Sequence, residues 1–260
     1  MASPTHEMLR DYADAFRVHG ALSNPVWFLG PGEVGGADLD EVDRQVSAWD
    51  RAGRPRATDL DASDESPFGD DEGAPPTLRT TRANQLRVLL GMRGEPMDNR
   101  AIRRLQALEH GRAGGPTCLM ELFPLPCRDD AWIYDRVPHD PERDGPNVFA
   151  SRSECREHYL PRRLETLAAL VHEHRPTALV CMCWTYRGQI VSMLEDAEIP
   201  DLGLEGARRR AVTGTLGDTV VAVCSHPSKR IAGPKNEFYH RLGRAIAERM
   251  GPEAELPLAA

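Results

Sequence analysis

Short apolar runs alternate along this chain with longer stretches in which apolar residues recur every three or four positions. Val26-Trp27-Phe28-Leu29 is the first run. It is too short for a helix and has no polar alternation, the pattern of a strand buried on both faces. Residues 117–123, 177–184, 211–214 and 219–224 repeat it and predict further strands. Helical spacing predicts helices over residues 5–19, 38–49, 79–92, 98–110, 152–173, 185–196 and 236–250. The first of these would carry Met8, Tyr12, Ala15 and Phe16 on one face. Pro161 is expected to kink the 152–173 helix or divide it in two. Strands alternating with helices predict an α/β fold, a three-layer α/β/α sandwich around a mainly parallel central sheet.

Punctuation by Pro, Gly and charge sets the expected domain limits. Residues 54–77 crowd Asp and Glu beside Pro and Gly and read as an acidic mobile loop within a domain. Residues 128–150 are loop-like. No internal repeat is evident, so a single domain is expected over residues 1–252, with a disordered tail at 253–260.

Charge and cysteine usage narrow the class. The net charge of −8 does not advertise a nucleic-acid binder. Its distribution is uneven, near −9 over residues 1–150 and near +1 over 151–260. A local basic surface can still track phosphates, and the candidates are Arg208-Arg209-Arg210 and the group Lys229, Arg230, Lys235, Arg241 and Arg244. Ordinary solvated charges are the bland alternative. No apolar stretch is long enough to span a bilayer, and the first residues lack the basic and apolar regions of a signal peptide. A cytoplasmic protein with no membrane partner and no obligate protein partner is expected. Six cysteines, Cys118, Cys127, Cys155, Cys181, Cys183 and Cys224, include no C-x-x-C pair. They predict neither a zinc site nor a disulfide framework, and Cys118, Cys181, Cys183 and Cys224 fit small core positions on strands.

Candidate chemistry lies at two strand ends. Ser225-His226-Pro227-Ser228 follows the run 219–224. Ligands of open α/β sheets bind at the carboxyl ends of strands, where His226 would sit; a cap that merely positions a turn is the alternative. Gly30-Pro31-Gly32-Glu33-Val34-Gly35-Gly36 follows the first strand. Gly30, Gly32 and Gly35 match the spacing of a dinucleotide-binding loop. Pro31 lacks an N–H for a pyrophosphate, and no acidic residue closes a second strand about 20 residues on, both against that assignment.

Taken together, these motifs resemble those of the uracil-DNA glycosylase superfamily. Phe28-Leu29-Gly30 leading into the glycine turn is similar to its first motif, and His226-Pro227-Ser228 to its second. Glu121-Leu122-Phe123-Pro124-Leu125-Pro126 resembles the strand end that reads the base. Cys155-Arg156-Glu157-His158-Tyr159-Leu160 and Arg175-Pro176-Thr177-Ala178-Leu179-Val180 resemble its C-x-P-Y-L helix and R-P-x-x-x-V strand. The matches run in order from about residue 24 to residue 246. The chain looks like a divergent member, nearest a family-four-like branch but without that branch's full iron–sulfur cysteine set. No cysteine precedes Cys118, so no cofactor is expected.

The resemblance implies a monofunctional DNA glycosylase that flips a nucleotide out of the duplex and cuts its N-glycosidic bond. His226 would donate to the pyrimidine O2, and Glu33 would stabilise the sugar cation and orient water. Asp38 is the fallback carboxylate. Gly30, Gly35, Glu121 and Phe123 would line the base pocket. Ser228, Lys229, Arg230, Ile231 and Asn236 would face DNA, with Ile231 as an apolar wedge; Asn236 suits a helix cap equally well. Two departures bear on the base. Glu121 stands where uracil-specific members commonly carry Asn, and a carboxylate only accepts, which suits a cytosine N4 amino group. A pair with Arg128 is the alternative. Val34-Gly35-Gly36 leaves room for a 5-substituent. A 5-modified cytosine of phage DNA is therefore the favoured substrate, and antiviral defence the favoured role. A uracil or deaminated-base repair enzyme, a non-catalytic modified-base binder and a nucleoside-acting α/β enzyme are the alternatives.

Overall fold

The computed structural model describes residues 5–32, 39–60, 80–123, 147, 151–204, 210–226 and 235–251. Two compact units make up the chain. One comprises Met1–Arg17, Pro31–Arg56 and Glu121–Ala169, and the other Val18–Gly30, Ala57–Met120 and Leu170–Ala260.

In chain order the elements are α1 (His6–Asp14), β1 (Val18–His19), β2 (Val26–Gly30), α2 (Leu39–Arg51), β3 (Ala57–Thr58), α3 (Thr80–Met92), α4 (Asn99–Leu108) and β4 (Thr117–Glu121). There follow α5 (Arg152–His174), β5 (Ala178–Cys181), α6 (Arg187–Val191), β6 (Glu195–Glu198), β7 (Ala211–Leu216), β8 (Thr219–Cys224) and α7 (Lys235–Met250). The eight strands form one mixed sheet in the order β3-β1-β4-β2-β5-β8-β7-β6. β2, β5 and β8 run parallel at its centre, with Phe28, Val180 and Ala222 abreast. Every residue of these three strands is buried, as their apolar runs require.

One sheet face carries the core. Val26, Phe28, Val180, Ala222 and Cys224 pack with Leu86 and Leu89 of α3, Ile102 of α4, and Phe238 and Leu242 of α7. On the other face the Trp27 ring lies 6.1 Å from His174, the last residue of α5. The α3–α7 crossing is unusually close. A Cβ built on Gly91 would overlap the His240 carbonyl oxygen, and one on Gly243 the Val88 carbonyl oxygen. Only hydrogen at both positions lets the backbones meet.

A buried polar knot joins α3 to the start of β4. His110 is fully buried, its ring bonded to Gln85 Oε1 at 3.0 Å and Thr117 Oγ1 at 3.1 Å. The Gly111 amide donates to the same Thr117 oxygen at 2.9 Å. Burial, helped by the charges of Arg82 and His19, pushes the His110 pKa down to about 3. The unfolded chain binds this proton near pH 6.5 and the folded chain does not. The contribution is therefore complete above about pH 6.5 and falls by about 1.4 kcal/mol for each pH unit below that, down to about pH 3. Urea denaturation between pH 7 and 4 should show a shallower acid loss for His110→Gln than for the wild type. Equal slopes would remove His110 as the cause.

Several elements differ from the pattern-based expectation. The first helix stops at Asp14 and buries His6, Leu9, Tyr12 and Ala13, and Val18–His19 is a strand. The expected 185–196 helix is a 3-10 turn at Trp184–Tyr186 and the short α6, after which Glu195–Glu198 forms the outer strand β6. All four β6 residues are exposed. β7 runs antiparallel to β8. Pro161 neither divides nor ends α5, which is continuous through it. Its ring is exposed, and buried Cys155, Tyr159, Leu164 and Leu167 hold both flanking segments. Among the described residues no helix is long and apolar enough to cross a membrane.

Candidate functional site

The strand order marks a topological switch point. β2, β4, β5 and β8 are the first to fourth long central strands in the chain but lie second, first, third, fourth across the sheet. The winding direction reverses between β2 and β5, and ligands of such sheets bind beyond the carboxyl ends at that point. Gly30, the buried last residue of β2, lies on one side of it. Met182, Cys183 and Trp184 lie on the other, with the Met182 amide donating to the Leu29 carbonyl at 2.8 Å. β8 follows β5, with Val223 abreast of Cys181. The ends of β2 and β8 are thus two strand spacings apart, about 10 Å.

Ser225 and His226 follow β8 directly. Ser225 is held at three points. Its amide donates to the Arg210 carbonyl at 3.2 Å, its Oγ accepts from the Arg210 amide at 3.4 Å, and its carbonyl accepts from the Tyr239 hydroxyl at 2.8 Å. Ser225 and Tyr239 are both buried. This pinning extends the β7–β8 pairing, in which Ala211 faces Cys224, by one further step. His226, half-buried, leaves a backbone that has no freedom one residue earlier. Tyr239 was not singled out from sequence. Its signal was a phenol on the buried stripe of a helix, since a buried tyrosine hydroxyl needs a partner.

In the other unit, Glu121 closes β4 and Phe123 is buried two residues on. The backbone of Gly32 lies against Phe123, such that a Cβ there would sit 3.5 Å from the Phe123 carbonyl oxygen. The structure therefore brings Gly32 against Phe123. Arg156 lies 6.0 Å from the Phe123 ring. Arg163, only 4% exposed, fixes the end of β4. Its guanidinium donates to the Glu121 carbonyl at 2.7 Å and the Ala13 carbonyl at 2.9 Å, and lies 4.3 Å from the Phe16 ring. A buried arginine bridging two carbonyls is invisible in a pattern that treats helix charges as solvated.

The remaining site expectations divide in two. Asn236 is exposed at the second position of α7, so it is not that helix's cap. Glu33, Gly35, Asp38, Arg128, Ser228, Lys229, Arg230 and Ile231 lie outside the described residues, as does Cys127. The acidic loop falls largely outside them too. Cys118, Cys181, Cys183 and Cys224 are buried, as expected of core cysteines, and Cys155 is buried as well. Burial pushes the Cys118 thiol up to about 12, which suits packing over nucleophilic work. Among the described residues no three His, Cys, Asp or Glu side chains gather to hold a metal.

A cleft of about 690 Å³ opens beside the β8 end. Trp184, Arg187, Arg210, Ala211 and Val212 line it, and Leu202, Leu204 and Phe238 contribute apolar surface. Its size falls within the range of small-molecule sites.

No protein-family model and no curated protein matches this chain.

Proposed function

We propose that the protein is a monofunctional DNA glycosylase of the uracil-DNA glycosylase type, with that family's three-layer α/β/α arrangement. The observation that carries this reading is the arrangement of strand ends. The first glycine of one motif ends β2 and the histidine of the other follows β8, parallel strands of the same sheet on either side of β5, at the same edge. A gap of about 10 Å suits a nucleoside gripped from two sides. The pinned Ser225 supplies the preorganisation that a transition-state donor needs.

In the mechanism this reading implies, a nucleotide leaves the stack and enters the crevice. The C1′–N1 bond breaks with its electron pair moving onto the base, and His226 donates to O2 as negative charge develops there. Glu33 stabilises the positive sugar and orients water, whose oxygen bonds to C1′ while its proton passes to the carboxylate. The base leaves after taking up a proton, and an abasic site remains. Glu121 accepts from a cytosine-type N4 amino group. No lysine lies in the matched base-pocket motifs, so a Schiff-base strand break has no evident nucleophile. A 5-modified cytosine in phage DNA is the proposed substrate, and defence against such DNA the proposed role in the cytoplasm.

Mass spectrometry of bases released from uracil-containing, unmodified and cytosine-modified phage DNA tests this. Release of a modified cytosine is expected. Release of uracil alone would reassign the enzyme to repair. Binding without release from any DNA would make it a modified-base binder.

A further inference from the structure

The cleft beside β8 holds chemistry that the excision step does not use. Arg187 folds over Trp184, its guanidinium 5.0 Å from the ring centroid and within 3.4 Å of the Trp184 carbonyl. Arg187 is exposed, and so is Arg210, which lines the same cleft. The same lining includes apolar surface from Leu202, Leu204, Ala211 and Phe238. Asp201, the one carboxylate among the described lining, accepts from the Gly203 amide at 2.8 Å. The described lining therefore combines a net positive charge with apolar surface.

This combination selects a ligand with a flat apolar body and an attached anion. An arginine stacked on an indole offers a planar surface to a base, and a guanidinium pairs with phosphate oxygens through two donors. A nucleotide has both parts. The position points to its source. Arg210 is bonded through its backbone to Ser225, the residue before His226, so the cleft begins one residue from the proposed excision site.

We infer that this cleft binds a second nucleotide of the DNA strand, its base against the Trp184–Arg187 surface and its phosphate between Arg187 and Arg210. The inference rests on the glycosylase reading. A strand whose target nucleotide is flipped is held on one side by this contact, independently of which base is excised.

Equilibrium titration of the full chain with dAMP, deoxyadenosine, inorganic phosphate and a short single-stranded oligonucleotide tests it. dAMP should bind more tightly than deoxyadenosine or phosphate, and the oligonucleotide should displace it. Arg187→Ala and Arg210→Ala, both at exposed positions, should each weaken dAMP and oligonucleotide about 10-fold or more. Trp184→Leu should weaken both by about 5- to 150-fold. Unchanged affinities in the two arginine variants would overturn the inference. So would dAMP binding that the oligonucleotide does not displace, which would mark a site for free nucleotides. The two ideas fail separately. Base release with unaltered binding in the arginine variants removes the cleft alone. Arginine-dependent binding with no base released from any DNA removes the glycosylase and keeps the nucleotide cleft.

Discussion

His226→Ala is expected to slow single-turnover base release about 100- to 1000-fold while the dissociation constant for the same DNA changes only a few-fold. The split follows from when the contact forms. A donor to O2 gains most as the base becomes an anion, so its loss falls on the rate and not on ground-state affinity. The neighbouring Ser225 is fixed by Arg210 and Tyr239, so removing the imidazole should leave the loop's origin in place. His226→Gln keeps a side-chain donor and should recover part of the loss. A rate within about tenfold of wild type would remove His226 from the chemistry.

The second large effect concerns stability. Gly91→Ala would gain about 1 kcal/mol if helix propensity decided the outcome. It does not decide here, because the new methyl would overlap the His240 carbonyl oxygen, which is backbone and cannot swing aside. α3 and α7 would have to separate, loosening Leu86, Leu89, Phe238 and Leu242 in the main core. A net loss of about 3 kcal/mol is expected, the upper end of overpacking costs. Gly243→Ala should behave alike against Val88, and the double variant should lose less than the sum, since one separation relieves both overlaps. Urea denaturation should show each single variant unfolding about 1 M earlier. A midpoint at or above wild type would mean that the crossing tolerates a methyl.

The central strands were legible in the sequence because burial on both faces leaves an unbroken apolar run, as in 219–224. The ends of those strands were legible for the same reason, and with them Gly30 and His226. β6 was not, since Glu-Asp-Ala-Glu carries no apolar alternation and its strand state comes from pairing with β7. The continuity of α5 through Pro161 was also hidden. Proline's local cost is visible in sequence, whereas the packing of Tyr159 and Leu164 on either side is tertiary. Arg163 shows the converse. Its residue type suggests solvent, and only the fold reveals two backbone carbonyls waiting for its donors. Asn236 matched a cap by type, but the helix starts one residue earlier.

The described sheet ends at β6 on one side and at β3, a strand of two residues, on the other. Glu195, Asp196 and Glu198 lie on the first margin, where Arg249 of α7 pairs with Glu198 and donates to the Asp196 carbonyl at 2.8 Å, so this edge is charged and in part already occupied. The other margin offers too few amides to hold a further strand. Recruitment by borrowing a strand, a common way for α/β proteins to enlist peptides or copies of themselves, is thus disfavoured at both borders of the described sheet. A partner of the described sheet would have to be recognised by side chains instead.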